Sequence, residues 1–125
     1  MNQAVIESGR AEFALNTVKR VRDDLQIEDK TRKEYKQYCK KFPSLILTNG
    51  LAASVAFAMD KGGAYGLIYD NIAEWLKQNG FFEESQKLEG YICSLNSDMY
   101  RFVTKETLAM FIWLKRFASG LIKEE

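Results

Sequence analysis

Apolar residues return at intervals of three and four along almost the whole chain, and no stretch alternates apolar with polar residues as a half-buried strand requires. A chain with that rhythm buries its apolar side only by packing helix on helix. The first helix is predicted over Ala4–Leu25, with Ala11, Ala14, Leu15, Val18, Val21 and Leu25 on one stripe. The second covers Lys30–Lys41 and is expected to stop at Pro43, because a proline pushes its predecessor out of the α region. Pro43 then suits the first turn of a third helix, Ser44–Asp60, which is apolar nearly all round and reads as buried, with Asn49, Ala52, Ala53 and Ala56 on one narrow arc. Lys61-Gly62-Gly63 makes the next turn, and a fourth helix runs from Ala64 to Asn79 with Gly80 after its end. A fifth is expected over Glu84–Leu95, weakened by Gly90. The last runs to Leu121, capped by Asp98 or restarted at Thr104, with Met99, Phe102, Val103, Met110, Leu114, Phe117 and Leu121 keeping the helical period. The expected fold is all-α, a single-domain bundle of five to six helices spanning residues 1–125.

Eight Phe, six Tyr and two Trp are ample for a core at this length, and one proline argues against disorder. Met1–Phe13 holds Glu7, Arg10 and Glu12 and lacks the apolar centre of a signal peptide. Leu45–Met59 is too short to span a bilayer. Cys39 and Cys93 form neither a CxxC pair nor a zinc framework, which fits reduced thiols in a cytoplasmic protein.

The chain contains no histidine, which removes Ser-His and Cys-His nucleophile pairs, an imidazole base and His-ligated metals together. The paired acids Asp23-Asp24, Glu28-Asp29 and Glu83-Glu84 sit near predicted helix ends, where adjacent side chains diverge by about 100°. Gly62-Gly63 lacks the GK[ST] of a phosphate loop. Cys39, between lysines, has no orienting base. No catalytic residue, metal or cofactor is implied.

The formal net charge of +1 hides an asymmetry. Residues 1–41 hold ten bases and seven acids, while residues 42–125 hold eight and ten. On the second helix Lys30, Lys33, Lys36, Lys40 and Lys41 occupy an arc of about 140°, with Tyr35, Tyr38, Cys39 and Phe42 on the other side. Lys19, Arg20 and Arg22 extend this patch if the first two helices pack as a hairpin, and Lys115-Arg116 forms a second basic pair. Such a face is either simply solvated or opposed by a polyanion that relieves the repulsion among its charges. Lysines suit backbone phosphates, contacted without reading sequence.

Several blocks in order carry a family resemblance. They are Tyr35-x-x-Tyr38, Lys40-Lys41-Phe42-Pro43-x-Leu45-Ile46-Leu47-Thr48-Asn49-Gly50-Leu51, Ala56-Phe57, Ala64-Tyr65, and Tyr69-x-x-Ile72-Ala73-x-Trp75-Leu76. Tyr100-Arg101-x-x-Thr104-x-Glu106-x-Leu108-Ala109 and Trp113-Leu114-Lys115-Arg116-Phe117-Ala118 complete the set. Over about residues 10–120 the chain resembles the small subunit of the type III-B CRISPR effector, the Cmr complex. That resemblance implies a helical protein without catalytic activity whose copies stack into a minor filament beside the CRISPR RNA-binding subunits. It also implies basic surface facing the target RNA, and chemistry left to other subunits in antiviral defence. Expected partners are other Cmr-complex subunits, further copies of the chain, and the backbone of the CRISPR RNA–target RNA duplex. No membrane is involved, and an isolated chain is compatible with a monomer. The basic residues assigned to RNA are Lys19, Arg22, Lys30, Lys33, Lys36, Lys40, Lys41, Lys115 and Arg116. A protein–protein spacer without direct RNA contact is the alternative.

Overall fold

The computed structural model describes residues 3–123 as six helices with no strand among them: α1 (Gln3–Asp23), α2 (Asp29–Asn49), α3 (Leu51–Lys61), α4 (Gly63–Gln78), α5 (Leu88–Cys93) and α6 (Ser97–Leu121). Met1 and Asn2, which open the segment read above for a signal peptide, lie outside the described residues. No helix among the described residues is long and apolar enough to cross a membrane.

Pro43 does not end a helix; it lies inside α2. Proline removes the N–H that residue 43 would donate to the Cys39 carbonyl, which costs about 3 kcal/mol in an open helix interior. Phe42 and Ile46, on either side of it, are 0% and 2% exposed. Burial of two such side chains contributes about 1.5–3 kcal/mol each, enough to carry the helix through. The break comes instead at Gly50, with φ 89° and ψ 160°, a conformation open in practice only to glycine. The expected all-round apolar third helix therefore does not exist. Its first part belongs to α2, where Leu47 is exposed, and α3 buries only Leu51, Ser54, Val55 and Ala58. Asn49 shares no helix with Ala52, Ala53 and Ala56, and both Ala53 and Ala56 are exposed rather than packed.

Tyr100 of α6 supports the break. The backbone N–H of Ala52, in the first turn of α3, donates to the Tyr100 hydroxyl oxygen at 2.9 Å, so a side chain from another helix satisfies an end that has no side-chain cap of its own. A Cβ on Gly50 would stand 3.3 Å from that oxygen. Gly50→Ala is accordingly expected to destabilise the fold by about 1–3 kcal/mol, through backbone strain and displacement of Tyr100. Thermal unfolding followed by circular dichroism checks this, and an unchanged midpoint would refute it.

Other boundaries also move. α1 ends at Asp23, and Leu25 lies beyond it, 94% exposed, because Arg32 closes the connection. The Arg32 guanidinium donates to the carbonyls of Val21, Asp24 and Ile27, covering acceptors that the end of α1 leaves open. Residues 79–87 form turns, so α5 is a short helix that starts at Leu88 rather than Glu84. α6 is capped by Asn96, whose side-chain oxygen accepts the Met99 N–H at 2.9 Å, while Asp98 lies in its first turn. It runs unbroken through Thr104, and Met99 and Phe102, although on the helical period, are exposed.

α6 is the spine of the bundle. α1 packs along one side of it and α2 along another, and α4 closes the core against α2 and α3. The core is one cluster in which Trp75, Tyr35, Phe42 and Phe111 are the largest fully enclosed side chains. Tyr35 of α2 donates to Asn71 of α4 at 2.6 Å, a buried polar pair that ties these helices together. No buried side-chain polar atom among the described residues lacks a partner.

Candidate nucleic-acid interface

α2 presents its lysines as its periodicity dictates. Tyr35, Cys39, Phe42 and Ile46 are buried, so the arc bearing the lysines faces outward. Lys30, Lys33, Lys40 and Lys41 are exposed and Lys36 is half-buried. None of the five forms an ion pair among the described residues. The arginines behave differently. Arg10, Arg20, Arg22, Arg32 and Arg101 are engaged by Glu106, Glu74, Asp23, Asp29 and Asp98. Guanidinium forks hold the fold together, and the compact ammonium charges of α2 are left to solvent.

Because α2 continues past Pro43, its outer face is longer than the sequence suggests. Ser44, Leu47 and Thr48 fall within the same arc and are exposed, and Leu47, 75% exposed, lies between the directions of Lys36 and Lys40. Phe42 stacks on Phe111 of α6 at 5.5 Å, and Tyr100 reaches Ala52 just beyond the end of α2, so the two helices run antiparallel. Lys115, one turn after Phe111, is half-buried. Arg116 is turned about 100° further round and is exposed. Lys105 and Ile112 share that outer face with Arg116, at spacings of seven and four that sequence reading could have found.

Lys19 and Arg22 lie near the end of α1, whose connection to α2 is closed by Arg32. They ride on α1, which packs chiefly along α6 through contacts such as Arg10–Glu106, about 140° around α6 from Phe111. Lys19 is exposed. Arg22 is held by Asp23, and this hydrogen bond draws the Asp23 carboxyl below its usual range and raises Arg22.

The other edge of the lysine arc borders a shallow, open groove lined by α2 alone. Lys30, Lys33, Gln37, Tyr38 and Lys41 line about 490 Å³ of it, with Glu34 as the one acid among the lining residues. Lys41 also borders a second depression of about 350 Å³ between Leu45, Thr48, Asn49, Phe57 and Tyr65. Tyr38 and Tyr65 stack face to face, centroids 3.9 Å apart and planes within 6°. Phe57 meets Tyr65 edge-on at 4.9 Å, and Lys61 lies 5.6 Å over the Phe57 ring. These aromatics come from three helices.

Little else gathers reactive groups. Cys39 is fully buried, and burial pushes its thiol up to about 12, far from a nucleophile at neutral pH. Among the described residues no three Cys, Asp or Glu side chains are grouped to hold a metal ion. Asp24 accepts the backbone N–H of Gln26, Asp29 engages Arg32, and Glu84 meets Lys77 at 3.5 Å, so these acids serve local structure. A mixed-charge cavity of about 590 Å³ lies between α4 and the turns before α5, bordered by Asp70, Glu74, Glu84, Lys77 and Lys87. Burial, and then a hydrogen bond to Glu89, pushes the Tyr69 hydroxyl beside it up to about 12.

A family model described as CRISPR-associated protein (Cas_Cmr5) matches residues 6–121. Among solved structures, the chain is similar to the X-ray crystal structure of a CRISPR-associated Cmr5 family protein from Thermus thermophilus. The TM-score is 0.78 at 25% sequence identity, over 94% of this chain and 98% of that one.

Proposed function

This chain belongs to the CRISPR-associated Cmr5 family, the small-subunit family of the type III-B Cmr complex, and from that premise we propose that it is a non-catalytic subunit whose α2 lysine face meets the phosphate backbone of bound RNA. In this reading, copies of the chain stack into a minor filament in the cytoplasmic complex, and the lysine faces of successive copies track the CRISPR RNA–target RNA duplex. The observation that carries it is the set of five lysines on one side of α2, with no carboxylate paired to any of them among the described residues. Like charges a turn apart on a helix cost a few tenths of a kcal/mol per pair, and a polyanion opposite turns that cost into attraction. Lysine provides mobile point charges, which suits contact that must not depend on base sequence.

The test is the variant Lys33→Glu/Lys36→Glu/Lys40→Glu. All three residues lie on the outer arc, so folding is expected to survive, with the circular dichroism spectrum and thermal midpoint close to the parent's. Target-RNA affinity of the assembled complex should fall, and the slope of log K against log salt should shrink by about one unit for each lysine that meets a phosphate. Unchanged affinity and slope overturn the assignment.

A spacer role has one observation in its favour, the exposure of Leu47 (75%) amid the lysines, an apolar surface that a neighbouring subunit could cover. On that reading the same triple variant would block assembly of the RNA-free subunits, which native mass spectrometry resolves.

A further inference from the structure

We propose that the groove beside α2 takes an unpaired nucleobase, stacked on Tyr38 with its flanking phosphates held by Lys30, Lys33 and Lys41. The proposal deepens the RNA-facing reading of α2 and rests on it. Tyr65 covers one face of Tyr38 in a near-parallel stack, and the Tyr38 ring borders the groove among these lysines. A planar base laid there becomes the third member of an aromatic column whose first two rings are already ordered. Stacking of this kind is sequence-tolerant, because every base has a π-face. Glu34 also lines the groove, its carboxylate 3.5 Å from the Tyr38 hydroxyl, and Lys30, Lys33 and Lys41 outnumber it three to one. Charge complementarity with an aromatic floor favours a nucleotide over an acidic peptide. Aspartate and glutamate would satisfy the lysines but leave the Tyr38 face uncovered.

The experiment uses the assembled complex loaded with a set of target RNAs that together place iodouridine at every position. The expected result is a photo-adduct on Tyr38, abolished by Tyr38→Leu, retained by Tyr38→Phe, and accompanied in Tyr38→Leu by an affinity loss of about fivefold or more. Loading is measured in the same samples. A loaded parent complex without an adduct on Tyr38 or Tyr65 overturns the proposal and leaves the backbone reading standing. Loss of loading is a separate result, and its indifference to lysine reversal would sink the backbone reading instead. Protection of Tyr38 from nitration in the RNA-free assembly also overturns the proposal, by assigning the groove to a protein neighbour.

Discussion

Trp75→Ala is expected to cost about 3–5 kcal/mol, a large part of the roughly 5–15 kcal/mol by which a domain of this kind is stable. Trp75 is 2% exposed and ranks among the largest enclosed side chains of the core. Its ring lies 5.1 Å from Phe13 of α1, its indole N–H donates to Glu106 of α6 at 3.1 Å, and it stands on α4. One truncation therefore opens a cavity where three helices meet. Three helices cannot collapse together into that space without disturbing Tyr35–Asn71 on the same α4, so little of the cavity should close. Urea denaturation is the measurement: the midpoint should drop while the slope stays near the parent's. Trp75→Phe, which keeps a ring but abandons the N–H bond, should lose less. A midpoint for Trp75→Ala within experimental error of the parent's would show that this junction is not central to stability.

Glu106→Ala is the second large effect. Glu106 accepts the Arg10 guanidinium through both oxygens, each contact 2.9 Å, and takes the Trp75 N–H as well. The Arg10 and Glu106 side chains are only 17% and 11% exposed. Removing one partner of a buried pair costs about 3–5 kcal/mol, because the remaining charge keeps its desolvation penalty and loses its counter-charge. Residual exposure places the expected loss near the lower figure, about 3 kcal/mol. Glu106→Gln preserves shape and some hydrogen bonding, so its cost should lie nearer that of one charged hydrogen bond, about 1.5–3 kcal/mol. Because the pair is enclosed, added salt should change these differences little. Equal stability of Glu106→Ala and the parent in urea would mean that the pair contributes nothing net.

Both predictions concern contacts that periodicity alone cannot reveal. Arg10 and Glu106 are 96 positions apart, and each reads locally as an ordinary charged residue of an amphipathic helix. The same holds for the groove. Tyr38 reads as one more residue on the aromatic side of its helix, and only the arrival of Tyr65 and Phe57 from α4 and α3 makes it part of an ordered aromatic wall. Family blocks pointed to Lys115 and Arg116 without showing that α2 and α6 pack antiparallel, with Phe42 on Phe111 and Tyr100 at Ala52. The charge pattern left open a hairpin of the first two helices that would add Lys19, Arg20 and Arg22 to the patch. In the bundle α1 packs chiefly along α6, and Arg22 is occupied by Asp23.

The sequence by itself determined the all-α fold, the six-helix count at the upper end of its range, and the lysine face of α2. Each of these depends only on the angle between successive residues and on which side chains avoid water. Tertiary structure decided where α2 ends, which cations are free, and which aromatic rings meet. A local signal such as Pro43 is worth about 3 kcal/mol, and burial of Phe42 and Ile46 on both sides of it matches or exceeds that. The charges that stay unpaired are those to which the packed bundle brings no carboxylate, and that depends on contacts between residues far apart in the chain.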